Sequence, residues 1–419
     1  MNEAELENWA AGFQARGHVL SQSHEQADMV VINTCAVTQE AVKKSRQLIR
    51  KTHRHNPRAK LIVSGCYASL APEIQQEISG IDLLVSNQDK DRLPEFVSER
   101  LMPETMPGNA TIPGATALFQ RGRNRAFIKI QDGCRYRCTF CIVTVARGKE
   151  RSRPPDGIIQ QINQLYSHGV KEIVLTGVHV GGYGSDINSD LYSLVRAILN
   201  DTDMPRIRLA SVEPWDLPEN FFTLFQDNRL MPHMHLPLQS GSDAILKAMA
   251  RRCKTAHFAR LINQARSEIP GFNVTTDIIV GFPGESEYDW RQGLEFIETT
   301  GFSHVHVFPY SSRAGTRAAA LPDHVPTAVK KDRCQQLLAL TKKMKKQCLQ
   351  QQLGKRTSVL IENIKRSEQS KNLEALGYTP DYYRVQLEMS ESDQIKNEIR
   401  DVSILSLNKS GDGLIATSH

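Results

Sequence analysis

The sequence has few cysteines and lacks any long apolar segment. Eight cysteines in 419 residues are too few for a disulfide scaffold, so each should be a free thiol, a catalytic group or a metal ligand. No run approaches the roughly 18 to 20 consecutive apolar residues that a membrane span requires. The segment Met1–Leu20 also lacks the basic and apolar parts of a secretory signal. We therefore expect a soluble, cytoplasmic protein with no membrane partner.

The chain also lacks a strong excess of either charge. Its 52 Lys and Arg residues against 46 Asp and Glu give a net charge of +6, which permits an anionic partner without requiring one. Internal repeats and low-complexity tracts are missing as well. The composition, with 40% apolar and 23% charged residues, is globular, and the length suits about three domains of roughly 150 residues each.

The first part of the chain alternates short apolar runs with helical stretches. Apolar runs at residues 29–32, 61–63 and 81–85 are separated by helical stretches at 39–53 and after residue 72. This alternation predicts a doubly wound parallel sheet. Cys35 follows the first predicted strand and Cys66 the second. Because ligands bind at the carboxyl ends of the strands in such sheets, we expect both thiols at one crevice.

A second series of strands and helices follows residues 101–125, which are rich in Pro, Gly and Thr and which we interpret as a linker. Six apolar runs predict a partial (β/α)6 barrel with its chemistry at the carboxyl ends of the strands. These runs are residues 126–130, 172–175, 207–210, 233–236, 274–280 and 304–308. A long helical stretch follows at 327–353.

Short β-like runs dominate the end of the sequence. They lie at residues 357–361, 382–387 and 402–407 and are separated by polar turns. This spacing predicts a small OB-like β-barrel. The chain is therefore predicted to be an α/β protein with three domains, at residues 1–105, 122–353 and 354–419.

The most informative motif is a group of three cysteines directly after the first strand of the predicted partial barrel. Cys134, Cys138 and Cys141 form a CxxxCxxC motif, a spacing typical of thiolate ligands to a metal or an iron–sulfur cluster. Three thiolates leave one iron of a cubane cluster open to an exogenous ligand. The alternatives are a structural zinc site or three unpaired surface thiols.

This motif, with the aromatic Phe140 before its last cysteine, resembles the radical S-adenosylmethionine (SAM) signature. The resemblance implies a [4Fe–4S] cluster whose open iron binds SAM and delivers the electron that cleaves it. It also implies that segments after the later barrel strands contact SAM, although a glycine run alone is more often only a turn. The matching residues are Gly177, Gly181, Gly182, Ser211, Glu213, Gln239 and Gly281.

The order of the three predicted domains resembles the methylthiotransferases among the radical SAM enzymes. In that family three cysteines of the leading domain bind an auxiliary [4Fe–4S] cluster, and Cys35 and Cys66 match two of them. Without the resemblance both would be interpreted as buried core thiols. The cysteines that match no cluster motif are predicted to be ordinary thiols: Cys253, Cys334 and Cys348.

The third auxiliary ligand departs from the family pattern. That pattern, Gly-Cys-x-x-Asn-x-x-Glu, is matched by Asn2 and Glu5, which places the expected cysteine two residues before Met1. We expect either that the start codon is misassigned or that the auxiliary cluster lacks one thiolate.

Segments such as Asn33–Thr38 and Phe308–Ser311 most resemble the MtaB type of methylthiotransferase. That resemblance implies methylthiolation of C2 of N6-threonylcarbamoyladenosine at position 37 of tRNA, with two SAM and two clusters. It also implies a monomer and a reductant such as flavodoxin or ferredoxin. The alternatives are another tRNA adenosine, a ribosomal-protein aspartate, or a tRNA-binding paralogue that is inactive because one auxiliary thiolate is missing.

The residues after Gly354 resemble a TRAM module, a small RNA-binding β-barrel. Tyr378, Tyr382 and Tyr383 could stack on bases and Arg384 could bind phosphate, or the rings could fill the core of the small barrel. Two basic runs are also placed to bind RNA phosphates, although such runs are usually solvated helix faces and some of the arginines could instead bind the SAM carboxylate. These runs are Arg147, Lys149, Arg151 and Arg153, and Lys342, Lys343, Lys345 and Lys346.

Overall fold

A computed structural model describes residues 1–21, 23–101, 125–366, 373–389 and 397–418. These residues divide into two units. The N-terminal unit contains the described residues of 1–121, 132–150 and 311–320. The barrel unit contains those of 122–131, 151–310 and 321–419. The predicted linker at 101–125 lies outside the described residues except for its two ends, and the division into three domains stays a prediction.

The N-terminal unit is built on a three-stranded parallel sheet in the order β1-β2-β3. Alternate residues of β2 pack in different core clusters: Leu61 and Val63 pack with Ile49 of α2, whereas Ile62 packs with Trp9 of α1. Helices therefore cover both faces, and the predicted doubly wound sheet is confirmed. The elements are α1 (Asn2–Gln14), β1 (Met29–Thr34), α2 (Gln39–His55), β2 (Lys60–Gly65), α3 (Cys66–Leu70), α4 (Ile74–Glu77), β3 (Leu83–Val85), α5 (Leu93–Leu101) and α6 (Val143–Arg147).

The barrel unit contains six parallel strands in the order β4-β7-β8-β9-β10-β11. A bridge between Ser211 and His235 joins its two three-stranded halves. The predicted partial (β/α)6 barrel is therefore confirmed. Its elements are β4 (Arg125–Lys129), β6 (Arg151–Ser152), α7 (Pro155–Ser167), β7 (Glu172–Thr176), α8 (Leu191–Asp201), β8 (Arg206–Leu209), β9 (His233–His235), α9 (Asp243–Ala248), α10 (Thr255–Glu268), β10 (Asn273–Val280), α11 (Glu287–Thr300), β11 (His304–Pro309) and α12 (Thr327–Gln350). The short strand β5 (Gln131–Asp132) has one residue in each unit. None of the described helices combines the length and the apolar composition that a membrane crossing needs.

A closed five-stranded barrel ends the chain, in the order β12-β13-β14-β16-β15. Val359, Val385 and Val402 fill its core together with Tyr383, which is 8% exposed. The small barrel is therefore confirmed, and the ring of Tyr383 belongs to the core rather than to an RNA surface. Two of the strands, β13 and β16, were not predicted. The strands are β12 (Arg356–Arg366), β13 (Leu373–Tyr378), β14 (Arg384–Met389), β15 (Ile399–Leu407) and β16 (Leu414–Ser418).

The loop between β13 and β14 contacts the amino ends of the parallel strands. The ring of Tyr382 stacks on His233 and on Tyr378, with centroid distances of 4.8 and 4.9 Å. Nη1 of Arg125 donates a hydrogen bond to the Tyr382 hydroxyl at 2.9 Å. Within the barrel unit, Tyr382 thus contacts the parallel strands, which argues against its predicted role in base stacking.

Three arginines of the same strand ends surround one buried carboxylate. Arg125, Arg206 and Arg208 all contact Glu172, which is fully buried. Other donors of these arginines bind the small barrel. Arg206 Nη1 donates a hydrogen bond to the Tyr378 carbonyl at 3.0 Å, and Arg208 Nη1 donates one to the Pro380 carbonyl at 2.9 Å. Arg125 forms an ion pair with Glu362. Because burial and the two neighbouring arginines oppose its charge, the pKa of Arg206 is lowered to about 10. The small barrel thus supplies an acceptor to each of the three arginines.

Candidate iron–sulfur and cofactor sites

The three cysteines of the CxxxCxxC motif lie in one loop of the N-terminal unit. Cys134, Cys138 and Cys141 are half-buried, and none of them forms a disulfide within the described residues. Burial raises the pKa of the Cys134 thiol to about 12, and the negative charges of Cys141 and Cys138 add to the rise. Thiolates are the form that binds iron, whose positive charge offsets both effects. This donor set fits an iron–sulfur cluster held by three thiolates.

The backbone of this loop closes on itself at its two ends. Gly133 has a φ of 74°, and a Cβ on it would lie 1.9 Å from the carbonyl oxygen of Lys149. Only glycine fits there. The next residue, Cys134, donates its N–H to the carbonyl of Gly148 at 3.1 Å. These contacts join residues 133 and 134 to residues 148 and 149 at the base of the cysteine loop.

Cys35 and Cys66 lie at the carboxyl ends of neighbouring strands, as predicted. Cys35 directly follows β1 and Cys66 directly follows β2. The residues before them, Thr34 and Gly65, are register partners in the parallel sheet. Cys35 is half-buried and Cys66 is 5% exposed. The sheet thus brings the two thiols to one edge.

Arg147, the last residue of α6, lies beside Cys66. Its Nε donates a hydrogen bond to the Cys66 sulfur at 3.2 Å. Its Nη1 bonds to Glu5 Oε1 at 2.7 Å and to Asp132 Oδ1 at 3.1 Å. Arg147 is itself only 5% exposed. One guanidinium therefore joins the strand-end cysteine to the first helix and to the residue that precedes the CxxxCxxC loop.

A second buried cation completes this group. Nζ of Lys90 lies 2.7 Å from Glu5 Oε1 and 2.7 Å from Asp132 Oδ2, and the Lys90 side chain is fully buried. Burial alone would raise the pKa of Glu5, but Arg147 and Lys90 outweigh that effect and hold it at about 2. Two cations and two carboxylates thus form one neutral network, which we call the strand-end network: Glu5, Lys90, Asp132 and Arg147.

The glycines that follow β7 pack closely within the barrel unit. A Cβ on Gly177 would lie 3.0 Å from the side-chain oxygen of Gln131, and a Cβ on Gly181 would lie 2.8 Å from the Cβ of Asp216. Gly182 is buried next to them. These close contacts explain why residues 177 and 181 are glycines. The contact of this backbone with SAM stays a prediction.

The other predicted cofactor residues follow β8, β9 and β10 in turn. Ser211 is exposed, and Glu213 forms an ion pair with Arg251 at 2.6 Å. Gln239 and Gly281 both have positive φ, 75° and 74°. The barrel therefore places all of them after the carboxyl ends of its strands, as predicted, and their role in SAM binding stays a prediction. Phe140 lies half-buried in the cysteine loop of the other unit.

Comparison with known proteins decides the family. Residues 128–297 match the Radical SAM superfamily, and residues 1–86 match the family described as "Uncharacterized protein family UPF0004". The threonylcarbamoyladenosine tRNA methylthiotransferase MtaB of Bacillus subtilis (strain 168) is 37% identical over 386 residues, which are 89% of this chain and 85% of the relative. The chain belongs to the radical SAM methylthiotransferase family. A tRNA-2-methylthio-N(6)-dimethylallyladenosine synthase of Staphylococcus saprophyticus is 32% identical, over 88% of this chain and 74% of the relative.

A solved structure of another radical SAM enzyme has a similar fold. The methyltransferase TsrM from Kitasatospora setae, determined with cobalamin and a [4Fe–4S] cluster, superposes with a TM-score of 0.57 at 15% identity. The match covers 75% of this chain and 73% of TsrM. Membership of the radical SAM methylthiotransferase family implies SAM and a [4Fe–4S] cluster, and the three-cysteine loop has the donor set for that cluster.

The structure corrects one expectation about this methylthiotransferase chain. Arg147 was predicted to contact RNA or the SAM carboxylate, but its donors are directed to buried groups of the N-terminal unit. Lys149 and Arg151 are exposed, and Arg153 is half-buried and donates to the Lys129 carbonyl at 2.8 Å. Arg147 lies in sequence between the cluster loop and a basic run, and no sequence pattern there indicates that its side chain is buried.

Sequence reasoning also missed a set of histidines in the barrel unit. His235 Nε2 lies 3.2 Å from Asp277 Oδ2, and ligand atoms of His235, Asp277 and His306 lie within 4.8 Å of one another. Burial, followed by the charge of His306, lowers the pKa of His304 to about 4. The alternation of histidines at 233 and 235 and at 304 and 306 was the available signal, since alternate residues of a strand share a face. The set offers nitrogen and carboxylate ligands to a cation.

Proposed function

We propose that this protein methylthiolates C2 of N6-threonylcarbamoyladenosine at position 37 of tRNA, using two SAM and two [4Fe–4S] clusters. The reaction replaces the hydrogen on C2 by a methylthio group. The similarity to the Bacillus subtilis MtaB protein along 89% of the chain is the observation that carries the proposal. The three-cysteine loop and the strand-end cysteines lie in the same unit, which agrees with a family that uses both.

In this proposal Cys134, Cys138 and Cys141 hold the SAM-binding cluster. When bound, that cluster supplies the electron that cleaves SAM to a radical able to remove hydrogen from an unactivated carbon. General acids and bases act on groups that exchange protons and give no access to adenine C2. The contribution of this chain is to carry the three cysteines on one loop, whose ends are joined by the contacts of residues 133 and 134 with residues 148 and 149.

Cys35 and Cys66 are the proposed ligands of the auxiliary cluster. Both lie at one edge of the parallel sheet, and the Cys66 sulfur already accepts a hydrogen bond from a guanidinium, a partner that suits a thiolate. The described residues thus offer two thiolates for this cluster, next to the first turn of α1, where Glu5 contacts Arg147.

The strand-end residues of the barrel unit are the proposed SAM contacts. Gly177 and Gly181 allow the backbone after β7 to approach a ligand closely. Two hydrogen bonds from Arg251 fix the orientation of the Glu213 carboxylate. In this orientation its oxygens can accept further hydrogen bonds, from hydroxyl or ammonium groups of SAM. Gln239 and Gly281 turn the chain at the ends of β9 and β10.

The proposed tRNA surface includes the exposed face of α2. This helix carries six Lys and Arg residues and one Glu, a net charge of +5, while the whole chain carries only +6. Lys43, Lys51 and Arg54 are exposed. The first residue of α2 lies four positions after Cys35 and donates its N–H to Ser311 Oγ at 3.2 Å. The residues that would bind tRNA phosphates along this helix therefore follow Cys35, a proposed ligand of the auxiliary cluster, closely in sequence.

An assay with defined tRNA tests the proposal. The anaerobically reconstituted protein is incubated with SAM, a flavodoxin or dithionite, and tRNA that carries threonylcarbamoyladenosine, and the nucleosides are analysed by mass spectrometry. We expect a methylthio product on that nucleoside. A methylthio product only on dimethylallyladenosine would show that the substrate is a different tRNA adenosine. A product on a ribosomal-protein aspartate would show that the substrate is a protein. Binding of tRNA without any product would indicate an inactive paralogue.

A further inference from the structure

We propose that Arg147 is a positioning residue for the auxiliary cluster: through its hydrogen bond to Cys66 it holds that thiolate and raises the reduction potential of the cluster. The inference rests on the second cluster of the proposed function. It concerns a residue that no motif of the family resemblance singled out as a cluster neighbour. Three observations carry it, namely the geometry at the sulfur, the charges around it and the segment to which Arg147 belongs.

The geometry at the sulfur is fixed from two sides. Nε of Arg147 lies 3.2 Å from Cys66 Sγ, while Nη1 of the same planar group bonds to Glu5 and Asp132 at 2.7 and 3.1 Å. A guanidinium presents its donors in a rigid fork. With the Nη1 corner fixed by two carboxylates, the orientation of Nε toward the sulfur is fixed as well.

Of the two cations in the strand-end network, Arg147 is the one that contacts the Cys66 sulfur. Lys90 is bound to Glu5 and Asp132, each at 2.7 Å. The four side chains of the strand-end network have no net charge, and the amino-terminal ammonium of Met1 also interacts with Glu5 and Arg147. A Cys66 thiolate therefore adds one negative charge beside a group that has no net negative charge. Among the described residues, Arg147 donates a hydrogen bond to that sulfur. An N–H donor and a positive charge at a cluster sulfur stabilise the reduced, more negative state, which raises the reduction potential.

Arg147 also belongs to the segment that carries the other cluster. Residues 132–150 contain the CxxxCxxC loop, with Asp132 before it and Arg147 after it. Both of these residues enter the strand-end network. The cysteines of the two proposed clusters are therefore tied to one buried group of charges within the N-terminal unit, and a change at Arg147 reaches the auxiliary thiolate directly.

The test is a redox titration followed by electron paramagnetic resonance. Full-length protein in which Cys134, Cys138 and Cys141 are replaced by Ala isolates the auxiliary cluster, and the same titration is run in the wild-type background. We expect Arg147→Gln to lower the potential by at least about 59 mV, which corresponds to a tenfold change in a one-electron equilibrium. Arg147→Lys keeps the charge without the fork and is expected to recover part of the shift.

Glu5→Gln separates the electrostatic role from a merely structural one. This variant loosens the same network but removes a negative charge, so we expect the potential to rise rather than to fall. Lys149→Gln removes an exposed cation two residues from Arg147 and is expected to leave the potential unchanged. Shifts of the same sign in the Arg147 and Glu5 variants, or no shift in Arg147→Gln, would overturn the inference.

Iron content distinguishes this failure from that of the proposed function. About eight irons per wild-type chain together with an unmoved potential would overturn only the role of Arg147. About four irons per wild-type chain would show that the second cluster is missing, and would overturn both.

Discussion

The Cα of Gly133 lies so close to the carbonyl oxygen of Lys149 that a Cβ would come within 1.9 Å of it. This contact closes the loop that carries Cys134, Cys138 and Cys141. We expect Gly133→Ala to force the loop apart and to lose the SAM-binding cluster, which iron analysis and the visible absorption band would show. Gly148→Ala is the matched control, because it has the same positive φ but nothing within 4 Å of the added carbon. Retention of iron by both variants would contradict the role of this contact.

Replacement of the two kinds of cysteine should remove different irons. We expect Cys138→Ala to remove about four irons per chain and Cys66→Ala to remove a different set of about four, so that the two losses add in the double variant. Cys334→Ser is the control, since this half-buried thiol matches no cluster motif. Equal iron in Cys66→Ala and wild type would remove Cys66 from the list of ligands.

The basic face of α2 should account for part of the salt dependence of tRNA binding. Replacing Lys43, Lys51 and Arg54 by Gln should weaken binding on the order of tenfold and should flatten the dependence of log affinity on log salt. A matched triple variant, Lys247→Gln with Lys254→Gln and Arg260→Gln, removes the same charge from exposed positions of the barrel unit. An equal loss in both variants would indicate a general charge effect instead of a tRNA surface.

Tyr382 is predicted to matter for stability rather than for RNA binding. Tyr382→Ala removes the stacking on His233 and the hydrogen bond from Arg125, and we expect a loss of about 2 kcal/mol. Thermal unfolding should begin at a lower temperature, while tRNA affinity measured below that temperature stays within twofold. Weaker tRNA binding with unchanged unfolding would restore the base-stacking interpretation.

Glu5 should make the stability of the N-terminal unit depend on acid. Its carboxyl has a pKa of about 2 in the folded protein against 4.5 for the ordinary group, so it stabilises the fold above pH 4.5 and loses this contribution as the pH falls toward 2. The upper limit of the effect is about 3 kcal/mol. We expect Glu5→Gln to unfold more easily than wild type at pH 7 and the difference to shrink at pH 3. A constant difference at both pH values would contradict the shift.

Much of the architecture could be predicted because strand periodicity and motif order are local properties. The runs at 29–32 and 61–63 became neighbouring parallel strands, and Cys35 and Cys66 followed them. The strand β13 was missed because Leu373–Tyr378 contains Glu374 and Gly377 and lacks a continuous apolar run. Its place in the small barrel comes from pairing with β12 and β14, a long-range property that no local pattern carries.

The strand-end network could not be predicted for a similar reason. Glu5, Lys90 and Asp132 are ordinary surface types, and each is far from the others in sequence. Only the folded chain shows that Arg147 contacts Glu5 across 142 positions and Cys66 across 81. Pattern reasoning assigned Arg147 to an anionic partner outside the protein, whereas its partners lie within the same unit.

The arginines at the amino ends of the parallel strands are synthesised before their acceptors in the small barrel. During translation, the strands that contain Arg125, Arg206 and Arg208 leave the ribosome well before the small barrel that supplies Glu362 and the carbonyls of Tyr378 and Pro380. Without the small barrel, Glu172 is the remaining partner shared by all three arginines. We therefore expect a chain that ends near residue 353 to leave these three arginines without their acceptors in the small barrel.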